Sequence, residues 1–365
     1  MNTLESQNLL NNVANLIEDA RRKVQTSVNS AMVHTYFLIG KHIVEYEQHG
    51  HERATYGKSV LKDLSNGLTE RFGNGWSVEN LTLMRKFYLI YSDFVNSVYE
   101  IPKTQATILA NDAKFEQTAS TVTPYSSIFH LSWSHYLVLI RIDNPDERRF
   151  YEIEAERQQW SVRQLKRQYG SSLYERLALS RNKSEVMKLA CEGHVVEKPA
   201  DILREPMALE FIGLKPDASY TESDMETAIL SKLQSFLLEL GKGFLFEARQ
   251  KRFSFEERNF YIDLVFYNRL LQCYVLIDLK TDDLTHQDLG QMQMYVNYYD
   301  RFVKNEFEKP TIGILLCKSK NDALVELTLP KDTNIYAQQY ALCLPDKSML
   351  QKKLKEWIAD YENNS

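Results

Sequence analysis

Cysteine is scarce in this chain: four in 365 residues, at 191, 273, 317 and 343, with no CxxC pair. That spacing argues against a zinc ribbon or a dithiol redox site and suits small core residues in a reducing compartment. No stretch approaches the ~18 apolar residues of a membrane span. The N-terminal MNTLESQNLLNNVANLIEDARRKV lacks the basic, apolar and small-residue succession of a secretory leader, so a cytoplasmic protein is expected. No glycine-rich loop ends in Lys-Ser or Lys-Thr, which leaves nucleotide hydrolysis without a site. No GxSxG elbow is present either. An excess of positive charge is also missing. The net charge is −5, and since basic and acidic residues balance over 1–180, the remainder carries it. Any nucleic acid must therefore be met by local patches.

What is present divides into two grammars. Residues 1–180 read as a mainly α-helical domain. Leu9, Leu10, Val13, Leu16, Ile17, Ala20 and Val24 recur at helical spacing, and a second helix follows up to a stop at Gly50. Over 56–94 a helix, a GNG turn and a helix opening at Ser77 outline a helix-turn-helix. Its second helix exposes Arg85 and Lys86, which could contact DNA, although two packed helices of an α-helical domain would read the same. Residues 97–127, rich in Ser, Thr, Ala and Asn, read as a long loop. Ser161 and Gln164 fit a capping box, and the helix they open presents Arg163, Lys166 and Arg167, again a candidate nucleic-acid face or a solvated one. Residues 181–205 form the expected linker. From 206 to 365 the order of helix, hairpin strands, helix, strand, strand and helix predicts an α/β domain around a mixed sheet.

Within that domain, YIDLVFYNRLLQCYVLIDLK at 261–280 places three charges in two apolar strands. Alternation puts Asp263, Val265 and Tyr267 on one face, and Tyr274, Leu276, Asp278 and Lys280 on one face. Pairing of Asn268 with Cys273 sets Asp263 opposite Asp278; a tighter turn at 268–269 shifts the partner but keeps the face. Two carboxylates so close repel unless a positive charge lies between them. Lys280 supplies one, and a divalent cation is the better answer, because Mg²⁺ accepts one or two carboxylates and completes its shell with water and phosphate oxygens. A plain salt bridge would account for Lys280 and one acid, not for the second.

The run I262-Asp263, Asp278-Leu279-Lys280, then Gln291-x-x-x-Tyr295, resembles the PD-(D/E)XK nuclease superfamily. FLLELGKGFLFEARQ, LGQMQMYVNYYD, LSWSHYLVLIRI and QWSVRQLKRQ are similar to YhcG-type bacterial nuclease-domain proteins, whose N-terminal region is winged-helix-like. The resemblance implies a restriction-endonuclease-like C-terminal domain. It also implies Mg²⁺-dependent hydrolysis of DNA phosphodiesters, with Mn²⁺ as a substitute cation, in repair, restriction or phage defence. Asp263, Asp278 and the Leu279 carbonyl would hold the metal, and Lys280 would orient water or meet transition-state charge. Gln291 would position these groups, Tyr295 would support Gln291 or touch the DNA backbone, and Glu226 would act through metal-bound water. Arg249 and Gln250 could face phosphate, with Arg249 equally readable as a strand-edge charge. Ile262 replaces the Pro of the superfamily's name, and Asp278 is the shorter of the two permitted acids. DNA is the expected partner, with a second copy or restriction-system proteins as further ones. The competing expectation is a non-cleaving DNA-binding or scaffold protein that keeps the fold as an accessory factor, and a third is a protein–protein module.

Overall fold

The computed structural model describes residues 3–49, 54–100, 128–180, 183–215, 219–330 and 333–363. Contacts divide the chain into two units, Met1–Leu165 and Lys166–Ser365. Residues 166–180, which composition groups with the helical half, pack instead in the second unit. The Gly50 stop and the body of the 97–127 loop lie outside the described residues.

In the first unit, helix α1 runs unbroken over Thr3–His49. The two helices expected there are one, because no glycine or proline interrupts the sequence between them. Helices α2 (Ala54–Phe72) and α3 (Val78–Glu100) flank the Gly-containing turn. Ser77 caps α3, its Oγ accepting from the Asn80 amide at 3.2 Å. Helices α4 (Trp133–Leu139) and α5 (Pro145–Arg157) follow, and α6 (Val162–Gly170) crosses the boundary between the units. The Ser161–Gln164 box forms as expected. Among the described residues before 166 there is no strand, so the β-wing of a winged helix is not seen there. No helix of the described residues is long and apolar enough to cross a membrane.

The second unit opens with α7 (Leu173–Leu179) and α8 (Lys183–Glu192), the latter inside the expected linker. Its six strands are β1 (Met207–Ala208), β2 (Phe244–Phe255), β3 (Arg258–Asn268), β4 (Cys273–Asp283), β5 (Ile312–Ser319) and β6 (Ile335–Ala341). They form one mixed sheet in the order β1-β6-β5-β4-β3-β2. The hairpins β2–β3–β4 are antiparallel, whereas β4, β5, β6 and β1 pair in parallel. Helices α9 (Glu222–Ser231), α10 (Leu233–Leu240), α11 (His286–Phe302), α12 (Asp322–Thr328) and α13 (Lys347–Asn363) complete the unit.

Apolar side chains fill two layers. Val275, Ile277 and Leu279 pack with Met225, Ile229 and Phe236 of α9 and α10. Leu276, Val265 and Leu315 pack with Met292, Tyr295 and Tyr299 of α11. A strand buried on both faces reads as a continuous apolar run, and β4 does so up to Asp278. Gly313 lets α11 approach β5, since a Cβ there would lie 2.7 Å from Met292 Cγ and Sδ and 3.0 Å from Val296 Cγ2. Gly313→Val is therefore expected to cost about 1–3 kcal/mol through overpacking, read as a lower urea midpoint with an unchanged m-value.

A buried ion cluster ties the segments flanking the sheet. Glu239 at the end of α10 is fully buried, yet it meets Arg176 at 2.5 Å, Arg167 at 2.6 Å and Arg204 at 3.8 Å. Its Oε1 also accepts from the Ala208 amide at 3.0 Å. Burial alone would raise its pKa; the three guanidiniums outweigh that and hold it down to about 2.

Candidate active site

The charges of 261–280 converge because β3 and β4 pair in the first of the two registers open to the sequence, Asn268 with Cys273. Buried Asn268 fixes that turn, its Oδ1 accepting from the Leu270 and Leu271 amides and its Nδ2 donating to the Lys242 carbonyl. Ladder pairing runs to Leu264 with Ile277. Beyond it the Asp263 side chain takes over, its Oδ2 accepting from the Leu279 amide at 2.8 Å. Asp263 is thus bound to the backbone of the residue between Asp278 and Lys280.

Asp278 is 3% exposed. Lys280 Nζ lies 2.9 Å from its Oδ2, 3.5 Å from Glu222 and 3.9 Å from Asp288. Burial, and then the charge of Asp263, push the Asp278 carboxyl up to about 7 despite Lys280. Lys280 moves the other way from what burial dictates: its three acids hold the ammonium charged, above the ordinary lysine range. Glu222 is raised too, first by burial.

Glu226, 2% exposed, does no capping; the Thr221–Asp224 box does that for α9. Its carboxylate instead accepts from Gln250 Nε2 at 2.5 Å and pairs with Arg249 Nε at 3.0 Å. Gln250 Nε2 also reaches Asp263 Oδ1 at 2.9 Å. Gln250 thereby bridges Glu226 to Asp263, and it does so from a left-handed backbone, φ +43°, within a strand. Such strain in a non-glycine residue persists only where its surroundings enforce it.

Gln291 and Tyr295 sit one turn apart on α11, which opens with a Thr285–Asp288 capping box. Gln291 donates to the Tyr295 hydroxyl, which donates to the Tyr261 carbonyl at 2.9 Å. Tyr295 is 1% exposed, and burial raises its pKa to about 12. Its hydroxyl is thus taken up by Gln291 and the Tyr261 carbonyl, and the ring is buried away from solvent.

The remaining candidates lie apart from this cluster. Arg167 is turned inward to Glu210, Glu239 and the Ala208 carbonyl, so the expectation of a nucleic-acid contact does not hold for it. Its helical neighbours Arg163 and Lys166 are exposed. Arg85 is paired with Glu47 at 2.8 Å, and Lys86 is exposed. Arg249 keeps half its side chain in solvent while pairing with Glu226. Reading the sequence for site residues missed Glu222 and Asp288, and Gln250, expected to face phosphate, is instead held between Glu226 and Asp263. Glu222 could have been found, since it stands four residues before Glu226 on the same helix face.

A cation suits this donor set. Asp278 and Asp263 offer hard carboxylate oxygens, and Asp278 is a buried acid whose ionisation is disfavoured until positive charge is added. Among the described residues no group of three or more His, Cys, Asp or Glu is placed to cage a metal. Two carboxylates with water is the arrangement Mg²⁺ takes, and nothing in the set favours a softer ion. A pH effect follows. An acid whose folded pKa is raised contributes stability that is present below its unfolded value near 4 and lost as pH rises through about 7. In EDTA, the melting temperature of the wild-type chain is expected to fall relative to Asp278→Asn between pH 5 and 8. Parallel curves would contradict it.

A family model described as the YhcG PDDEXK nuclease domain matches residues 200–355, and one described as the DUF1016 N-terminal domain matches 12–176. An Escherichia coli (strain K12) protein named "Putative nuclease YhcG" is 37% identical over 355 residues, which cover 95% of this chain and 93% of that protein. Two solved structures, a repair endonuclease from Pyrococcus abyssi and an EndoMS–dsDNA2 complex, each align at 17% identity with a TM-score of 0.24. Both cover 36% of this chain, which spans only about half the length of theirs (50% and 48%). So loose a superposition adds nothing to the sheet order and site geometry.

Proposed function

Since the chain belongs to the YhcG family of PDDEXK nuclease-domain proteins, we propose that it is a DNA nuclease that hydrolyses phosphodiester bonds with a divalent cation, Mg²⁺ or its substitute Mn²⁺. The observation that carries this reading is the buried Asp278 carboxylate, linked through the Leu279 backbone to Asp263 and faced by a charged Lys280.

Asp263, Asp278 and the Leu279 carbonyl would hold the cation. When bound, it polarises the phosphate and makes a coordinated water more acidic. Lys280 carries a full positive charge at neutral pH and directs its N–H groups at the negative charge that grows on the phosphate oxygens. Water oxygen bonds to phosphorus and gives up one proton to solvent, the phosphorus–oxygen bond to one sugar breaks, and the departing sugar oxygen takes up a proton from solvent, so that protons balance. Glu226 acts through Gln250, which sets the rotamer of Asp263. Gln291, fixed by Tyr295, lies on the helix that covers the site layer. Exposed Arg249 beside Glu226 is placed to meet a backbone phosphate.

The test is cleavage of supercoiled plasmid and linear duplex. Conversion in Mg²⁺ or Mn²⁺, abolished by EDTA and by Asp263→Ala, supports the reading. Intact DNA under all conditions, or equal cleavage by the variant, refutes it and favours a non-cleaving accessory protein.

A further inference from the structure

Helix α11 serves the site with Gln291 and Tyr295, but another part of it lines a separate cavity of about 330 Å³ that the reaction does not use. Gln293, Asn297, Tyr298, Arg301 and Phe302 contribute from the helix, and Phe253 and Phe255 close it from β2. We propose that this cavity receives a single nucleobase withdrawn from the base stack, on a DNA strand whose backbone passes the Asp263–Asp278–Lys280 site. The inference rests on the nuclease reading for the direction of the strand and on its own chemistry for the base.

The aromatic rings are the first argument. Phe253 stacks on Tyr298 with centroids 4.0 Å apart and planes 22° apart, and on Phe260 at 5.3 Å and 24°. Tyr298 leads on to Phe302 at 5.3 Å. Phe302 is nevertheless 66% exposed and Phe255 48%. These two rings add little to the core, yet they line the cavity. Phe253 is already stacked by its neighbours, so the open aromatic surface that an unstacked base requires is that of Phe255 and Phe302, and the volume is at the small end of ligand sites, suited to one heterocycle rather than a duplex.

A half-satisfied pair of amides is the second. Gln293 Nε2 donates to Asn297 Oδ1 at 3.3 Å, while Gln293 Oε1 is buried without a hydrogen-bond partner. The Gln293 acceptor is left over inside, and the donor group of exposed Asn297 is open to solvent. If both amides are turned over, the pair still leaves one donor and one acceptor, so the point survives their assignment. The terminal torsion of glutamine is soft, and a modest rotation presents the free end to the cavity. The pairing edge of every base sets a donor beside an acceptor. Such a pair therefore recognises a base as a class and does not select one.

Proximity is the third. Phe253 meets the edge of Tyr295, the residue that holds Gln291, at 5.6 Å. Along β2 it is three residues from Gln250, which touches Asp263, about 10 Å at the rise of a strand. A base seated here belongs to a nucleotide close to the scissile phosphate. Arg301 at the rim suits the neighbouring phosphate or the face of the base.

The test separates this inference from the nuclease reading by measuring binding. The Asp263→Asn chain, in EDTA so that DNA is kept intact, is titrated by fluorescence anisotropy. One duplex carries a single unpaired nucleotide, and a second carries an abasic residue at that position. The base-bearing bulge is expected to bind about tenfold more tightly, in line with base–aromatic stacking. Adding Phe255→Ala with Phe302→Ala should erase the preference, and Gln293→Ala should reduce it. The first pair is exposed, so the fold is kept. Equal affinity for both duplexes, or a preference that survives the double substitution, overturns the proposal. If the wild type cleaves DNA yet shows no base preference, only the cavity assignment falls. If it prefers the base yet cleaves nothing, the nuclease reading falls and the cavity assignment stands.

Discussion

Lys280→Ala will slow DNA cleavage by about 10²–10³-fold, the loss expected when one preorganised charge is removed from a phosphoryl transition state. The lysine is well prepared for that task. Its ammonium lies 2.9 Å from Asp278 and within 4 Å of Glu222 and Asp288, only 16% exposed. Because these acids hold its proton more firmly than water would, it remains charged across the working pH range. The deficit should fall on kcat rather than KM, since the interaction strengthens as negative charge develops. Folding should survive: without the ammonium, buried Asp278 is pushed further toward its neutral form, which burial tolerates. A melting temperature close to wild type together with a large loss of kcat is the expected pair of results. Wild-type turnover by Lys280→Ala would show that the lysine is only a salt-bridge partner.

Glu239→Ala is expected to have the largest effect on stability, about 3–5 kcal/mol, because it strands buried arginine charge. Arg176 is fully buried and Arg204 nearly so, and each points at this one carboxylate. The Ala208 amide would also lose its acceptor, at the only point where β1 joins α10 by a side-chain bond among the described residues. A loss of that size is a large share of the ~5–15 kcal/mol of a typical domain and corresponds to a fall in melting temperature of roughly 10 °C or more. Glu239→Gln keeps an acceptor for Ala208 but not the charge, and should fall between the two. The pH dependence has the opposite sign to that of Asp278. A depressed pKa gives stability that is complete above the unfolded value near 4 and lost as pH falls through about 2. Urea titration at pH 7 measures the effect, and a change below ~1 kcal/mol would contradict it.

These two residues also mark how far the sequence could be read. The β3–β4 hairpin was legible because strand alternation has a period of two, so three charges in apolar strands announce a shared face wherever the turn falls. The final register was not legible, as it depends on Asn268 satisfying three backbone groups at once. Ser77 and Ser161 were readable as caps because capping is local. Glu239 was opaque: it stands 63 residues from Arg176 and 72 from Arg167, and no periodicity connects such positions. The same ignorance made Arg167 look like a DNA contact, for a basic helix face reads alike whether it meets solvent or a buried acid. Gln250 could be singled out beside Arg249, but its bond to both Glu226 and Asp263 could not, because it is made from a left-handed backbone within β2 that glutamine does not advertise.

The central claim, that Asp263 and Asp278 form a divalent-cation site on this hairpin, is tested most directly by a crystal structure grown with Mn²⁺ and recorded at the manganese edge. The account predicts an anomalous peak held by both carboxylates and the Leu279 carbonyl, and its absence from Asp263→Ala crystals. If saturating Mn²⁺ leaves Asp278 paired with Lys280 and Asp263 bound to Gln250, with no peak between them, the claim is wrong.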